Sequence, residues 1–329
     1  MPTATAAIPL PRTMSAMAFA RHGEGERPAP RLLPVPEPGP GQLLVRLDAA
    51  GVGRWDLLER DGAFARRLGE PTRFPLVTGS EGAGTVVATG PGAGGVAVGE
   101  RVYGLLARRT PTPGCHAEYA VLDRRLAWPV PPWMSMDQAA VLPVDGAVAL
   151  RGVRDALRAR AGDALVVFGA SGGVGHLALQ LARAMGLRTF AVASGADGLR
   201  LAERLGADEA VDGRRPGFER AIAGFAGPGT LALLTAGGDD AARTVAAMPP
   251  RSRIAWPHGV EVPALARDDV QAGPYATGFD PALMAALHAF AAGGRLLPHV
   301  SRRFPLAQLQ RAFDAVASHH LGRVAVLAT

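Results

Sequence analysis

The stretch ALVVFGASGGVGHLALQLARAMG, residues 164–186, constrains the fold more than any other segment. ALVVF has the unbroken apolar pattern of a buried strand, and VGHLALQLARAMG that of an amphipathic helix ended by Gly186. Between them lies GASGGVG, with Gly169, Gly172 and Gly175 at GxxGxxG spacing. Glycines there serve a tight turn, close backbone approach to a pyrophosphate and close helix–strand packing. The helix that follows offers N–H groups and a positive dipole end to phosphate. Glycines also make ordinary turns, so the spacing alone is weak. Its place between a buried strand and an amphipathic helix is what predicts a dinucleotide site built from Gly169, Ser171, Gly172, Gly173, Val174 and Gly175. RTFAVAS, LRLAERLGAD, LALLTAGG and SRIAWP continue the strand–helix alternation, so an α/β doubly wound parallel sheet is expected.

The second strand of such a sheet usually ends in an acid that holds the ribose 2′-hydroxyl of NAD. Here it ends AVAS, with Ser194 in that place and no acid on the strand. Without the carboxylate a 2′-phosphate meets no repulsion, and Arg200 or Arg214 can supply positive charge. Both arginines are equally well read as surface residues. NADPH is the expected cofactor, with NADH as the alternative.

Residues 15 to 130 read differently. Short strand-like runs such as GQLLVRLDAAGV, GTVVATG and AEYAVL are punctuated by Gly and Pro, which predicts an antiparallel β-rich domain, a partial barrel. PVPPWMSMD marks a boundary, with Ser135 as a helix cap and Asp137 in the first turn. A chain of 329 residues suits two domains, and 48% hydrophobic with 19% charged residues suits a globular protein. The expected division is a loose tail (1–13), a β-rich domain (14–132), a nucleotide-binding domain (133–272) and a segment (273–329) that returns to the first domain.

Composition excludes several functions. No apolar run reaches the roughly 18 residues that a membrane span needs. The opening MPTATAAIPLPRTMS lacks the parts of a signal peptide. A cytoplasmic location is therefore the expectation. The single cysteine, Cys115, rules out an internal disulfide and any zinc site built from several cysteines. The net charge is +6, yet there is no lysine, and the arginines are spread among acids, so a nucleic-acid face is not expected. Without lysine there is no lysine Schiff base.

Together, AAGVGRWDLLERDG (49–62), PLVTGSEGAGTVVATG (75–90), GERVYG (99–104), QAAVLPVDGAVAL (138–150), GASGGVG, RLGADEAVD (204–212) and the terminal GRVAVL carry a resemblance. The chain resembles the zinc-free quinone oxidoreductases of the medium-chain dehydrogenase/reductase superfamily, nearly from end to end. The resemblance implies a GroES-like β-rich catalytic domain, a Rossmann domain and a homodimer. Zinc-holding members place a Cys or Asp, a His and a Cys where this chain has Gly53 or its neighbours, Ser80 and Val144. No metal is therefore expected.

The chain also departs from the zinc-free pattern. Gly53 stands for the usual Asn, Val148 for Thr, and Gly198 and Gly213 for the Lys and Tyr that often hold the 2′-phosphate. Asp145 replaces a small residue.

Hydride transfer without a metal favours a conjugated acceptor, which spreads the developing charge onto oxygen. The expected reaction is reduction of a small-molecule quinone or α,β-unsaturated carbonyl compound. An enoyl reductase of a specialised metabolite and a nucleotide-binding scaffold without turnover are the rivals. Candidate catalytic residues are Asp56, which also suits a loop cap, and Asp145, which also suits a helix start. Tyr103 is the third, and also suits packing in the β domain. Trp55 and His258 are candidates to line the substrate pocket; core packing and a surface loop are their plainer readings.

Overall fold

Strand periodicity and glycine punctuation are realised as two different sheets. The computed structural model describes residues 10–69, 72–107, 113–263 and 267–328, less the side chains of residues 67 and 68. Residues 1–9 of the expected tail lie outside the described residues.

The first sheet system opens with β1 (Thr13–Ala18) and β2 (Ala29–Pro34), an antiparallel pair. β3 (Gln42–Val52) is followed by two short helices, α1 (Arg54–Arg60) and α2 (Ala63–Leu68). Then come β4 (Glu81–Thr89), β5 (Arg101–Leu106) and β6 (Tyr119–Pro129). β3 pairs with both β4 and β6, so β3–β6 close into a barrel. Closure leaves β3 covered on both faces, which is why QLLVRLDAAGV is almost wholly buried rather than alternating. Phe19, Leu43, Val45, Leu47 and Leu122 fill its core.

α3 (Met136–Ala140) begins at Ser135, whose N–H donates to Gln138 Oε1 at 3.1 Å in a capping box. α4 (Pro143–Leu150) runs into a π-helical turn, Arg151–Ala156.

The second sheet begins with β7 (Ala164–Phe168), α5 (Gly173–Ala184), β8 (Arg188–Ala193), α6 (Gly195–Arg204) and β9 (Glu209–Asp212). It continues with α7 (Phe218–Phe225), β10 (Leu231–Leu234), α8 (Asp239–Ala247), β11 (Arg253–Pro257), β12 (Gln271–Tyr275) and α9 (Pro281–Ala292). The order β12-β11-β10-β7-β8-β9 is wholly parallel. This is the doubly wound sheet, and its order reverses between β7 and β10. Finally β13 (Val300–Pro305), α10 (Leu309–Ala317) and β14 (Arg323–Leu327) return the chain to the first sheet, where β14 pairs with β3.

Two compact units result. One runs up to Val144 and includes Val300–His319 and the residues from Arg323 on; the other is Asp145–His299 with His320–Gly322. The first division lies beyond the proline-rich 129–132 stretch because α3 packs on β3 and β4. The return falls at Val300 because α9 stays with the second unit, where Leu283, Met284 and Leu287 are buried.

Candidate functional site

The glycine-rich turn sits at the carboxyl end of β7, where the strand order reverses. Gly169 has φ 76°, a left-handed conformation that favours glycine. A Cβ on Gly175 would overlap the Gly169 carbonyl and lie 2.8 Å from Ala170 Cα, so the α5 N-terminus can approach the turn only without one. The N–H groups of Gly173, Val174 and Gly175 belong to the first turn of α5 and have no acceptor within the helix.

Hydrogen bonds from the surroundings anchor the turn. Thr235 Oγ1, just after β10, donates to Phe168 O at 2.8 Å. Gly322 N–H donates to Ser171 O at 2.8 Å, and Ser194 N–H to Ser171 Oγ at 3.2 Å. Buried His176 accepts the His299 N–H on Nε2 at 3.1 Å. Its Nδ1 therefore carries the proton and donates to Gly172 O at 2.9 Å.

At the end of β8, half-buried Ser194 is the N-cap position of α6. Asp212, the last residue of β9, accepts from Gly195 N–H at 2.9 Å and Arg214 N–H at 3.1 Å. Burial pushes its carboxyl up, but these two N–H groups with the Arg215 and Arg214 guanidinium groups hold it below the usual range. Arg200 and Arg214 are exposed. An acid thus stands beside this corner on the neighbouring strand, which a search of β8 alone passes over.

At the other end of the sheet, Tyr275 closes β12. Its O–H donates to Val148 O at 3.0 Å. Burial, then the Asp145 charge, push the phenol far above its usual range. Asp145 lies in the first turn of α4, half-buried. His258 follows β11, exposed, and its backbone N–H donates to Tyr275 O at 3.0 Å.

The first unit holds a separate polar centre. Glu81 and Arg323 form a buried ion pair, with side chains 3% and 6% exposed. Glu81 Oε2 also accepts the Val144 N–H at 2.7 Å. The carboxylate fills the space where a Gly51 side chain would stand, and Arg323 Nη1 lies 3.2 Å from the Cβ position of Gly53.

Asp56 Oδ2 accepts the Gly53 N–H at 2.8 Å and so caps α1, while its buried Oδ1 has no hydrogen-bond partner among the described residues. His116 bonds Thr78 Oγ1 at 2.8 Å and Gly51 O at 3.1 Å. Burial lowers its pKa, against opposing effects of Asp56 and the Gly51 carbonyl. Tyr103 is fully buried in β5, and burial raises its pKa. Trp55 packs edge-on to Phe64 with centroids 5.0 Å apart, and its buried indole N–H has no hydrogen-bond partner among the described residues. The expected residues therefore fall into two groups: Asp56, Trp55 and Tyr103 in the first unit, the others in the second. Glu81, Arg323, His176 and Tyr275 were not legible as site residues. The ion pair joins positions 242 apart in the chain, and no local pattern signals it.

Residues 39–132 match the family described as alcohol dehydrogenase GroES-like domain, and residues 173–255 the one described as zinc-binding dehydrogenase. A solved alcohol dehydrogenase superfamily protein from Novosphingobium aromaticivorans is 30% identical with a TM-score of 0.84, over 96% of this chain and 100% of that one. The chain belongs to the alcohol dehydrogenase superfamily.

Within the superfamily it is a quinone oxidoreductase-like member of the medium-chain dehydrogenases/reductases. The quinone oxidoreductase of Rattus norvegicus is 31% identical over 54% of this chain and 51% of its own length. A spectinabilin polyketide synthase system protein of Streptomyces orinoci is 35% identical over 84% of this chain and 13% of its own length. The chain thus spans about half or less of the curated relatives it matches. A mycobacterial protein solved in complex with NADPH is 26% identical, TM-score 0.79, over 95% of this chain and 99% of that one.

One matched family is named for zinc, but the residues here do not fit a catalytic zinc. Such a metal takes three protein donors. Gly53, Ser80 and Val144 offer one hydroxyl, and the Arg323 guanidinium lies against Gly53. Among the described residues no group of three His, Cys, Asp or Glu can hold a metal ion.

Proposed function

We propose that this chain is a zinc-independent, NADPH-dependent reductase of a quinone or an α,β-unsaturated carbonyl compound, working as a homodimer. The observation that carries the reading is the hydrogen-bonded glycine turn at the reversal of the parallel sheet, in a superfamily member whose positions 53, 80 and 144 offer a single hydroxyl in place of three metal donors. NADPH, when bound, supplies a hydride. The chain's own part is to bind and orient. The first-turn N–H groups of Gly173, Val174 and Gly175 face the pyrophosphate. Ser194, Arg200 and Arg214 hold the 2′-phosphate, with Gly169, Ser171 and Gly172 shaping the turn. The NADPH complex of the mycobacterial structure supports that choice.

Asp145, half-buried in the first turn of α4, handles the proton at the acceptor. Asp56 caps α1 through Oδ2, and Tyr103 is enclosed. In the second unit, exposed His258 lines the acceptor pocket. A conjugated acceptor asks little more than positioning in a dry site.

The likeness to a polyketide synthase protein supports a second reading, an enoyl reductase of a specialised metabolite. The test is oxidation of NADPH and, separately, NADH against quinones, enones and an enoyl thioester. Turnover with NADPH on quinones or enones supports the first reading, and turnover on the thioester alone supports the second. Cofactor binding with no turnover on any acceptor refutes both and favours a scaffold.

A further inference from the structure

Asp212, the last residue of β9, joins two loops that leave different strands of the parallel sheet. Its Oδ1 accepts the Gly195 N–H at 2.9 Å, from the turn between β8 and α6. The same oxygen accepts the Arg214 N–H at 3.1 Å, from the turn between β9 and α7. The Gly213 N–H adds a second tie by donating to Ala193 O at 2.8 Å. The Asp212 side chain is only 12% exposed, so water competes little for these bonds.

These two loops carry Ser194 and Arg214. Ser194 holds the N-cap position of α6, and its hydroxyl makes no cap hydrogen bond. Gly195 has φ 78°, a left-handed conformation that favours glycine, and Arg214 Nη1 lies 3.5 Å from the point where a Cβ on Gly195 would stand. The guanidinium thus reaches back to the first residue of α6, a helix end whose N–H groups and dipole also favour an anion. An acid at this corner of a parallel sheet has another use, to accept the ribose 2′-hydroxyl. Here Oδ1 already takes two backbone donors, and Oδ2 has Arg215 Nε at 3.9 Å.

We propose that Asp212 is a positioning residue for cofactor choice. It sets the preference for NADPH over NADH by holding the Ser194–Gly195 turn and the Arg214 turn in one fixed register around the 2′-phosphate. This rests on the NADPH reading and names what makes that corner selective. With the loops already in place, binding need not order the Arg214 side chain, which is worth about 3- to 10-fold in affinity. NADH carries no 2′-phosphate and gains nothing from that placement.

The test measures, by calorimetry on the full chain, the ratio of the NADH to the NADPH dissociation constant in the wild type and in Asp212→Glu, Asp212→Asn and Asp212→Ala. Two comparisons hold the charge constant. Asp212→Asn and Asp212→Ala are both neutral, but only the first keeps an oxygen to accept the two N–H groups. Asp212→Glu keeps the charge of the wild type and moves the oxygens out by one methylene. The ratio should be about 3- to 10-fold lower in Asp212→Ala than in Asp212→Asn, and lower in Asp212→Glu than in the wild type. A general loss of binding weakens both cofactors alike and leaves the ratio unmoved. Should Asp212→Ala not fold, the comparison of Asp212→Glu with the wild type decides by itself. Differences below about threefold overturn the proposal and leave NADPH as the cofactor. A higher ratio in Asp212→Ala also overturns it, because the acid would then be serving the ribose of NADH. Wild-type protein that binds NADH as tightly as NADPH sinks the NADPH reading itself, before any variant is made.

Discussion

Replacing Glu81 by Met should be among the most damaging single changes in the first unit, and a second replacement should repair much of it. Glu81 and Arg323 are both almost fully buried, and each neutralises the other. Removing one partner strands a buried charge, which costs about 3–5 kcal/mol. At about 2–4 °C per kcal/mol for a large domain, the melting temperature of Glu81→Met or Arg323→Met should fall by roughly 6–20 °C. The double variant strands no charge. It loses the acceptor for the Val144 N–H, about 1–3 kcal/mol. Summed single losses of about 6–10 kcal/mol should thus shrink to about 1–3 in the double. Tryptophan fluorescence in urea can follow this, since Trp55 and Trp128 both lie in the unit that holds the pair. A double variant as unstable as the sum of the singles would refute the reasoning, because the two side chains would then not be acting as one neutral pair.

Other consequences are open to direct measurement. Gly175→Val places side-chain atoms in the Gly169 carbonyl and should weaken NADPH binding by more than about tenfold, read by calorimetry, with the melting of the first unit unchanged. Arg214→Ala should weaken NADPH by about 10- to 100-fold, as for a hydrogen bond to a charged group, and NADH far less; equal losses for both cofactors would remove Arg214 from the 2′-phosphate site. His116 has a folded-state pKa below its ordinary value of about 6.5, so the unfolded chain binds the extra proton first. Stability should be full above that pH and decline as pH falls from there toward the folded value. His116→Gln should flatten that part of the melting-temperature profile, and an unchanged slope would point to another group.

Much of the fold was legible in the residues. The strand–GASGGVG–helix segment needs only local physics, a bend that favours glycine and a helix face with apolar periodicity, so the nucleotide-binding unit could be read from one stretch. Ser135 was likewise visible as a cap because capping is a matter of a few neighbouring residues.

What only the tertiary structure decided are matters of which distant residues meet. Asp56 reads from sequence as a catalytic acid or a cap with equal justice; the fold spends one of its oxygens on Gly53. Asp145 reads as a helix start or an acid, and the fold puts it in the first turn of α4, half-buried among buried neighbours. The pairing of Glu81 with Arg323 depends on β14 returning beside β3, and the Tyr275–Val148 bond on β12 ending against α4. Local propensities act over a few residues, whereas these contacts are set by chain closure over long separations, where burial and charge pairing are settled together.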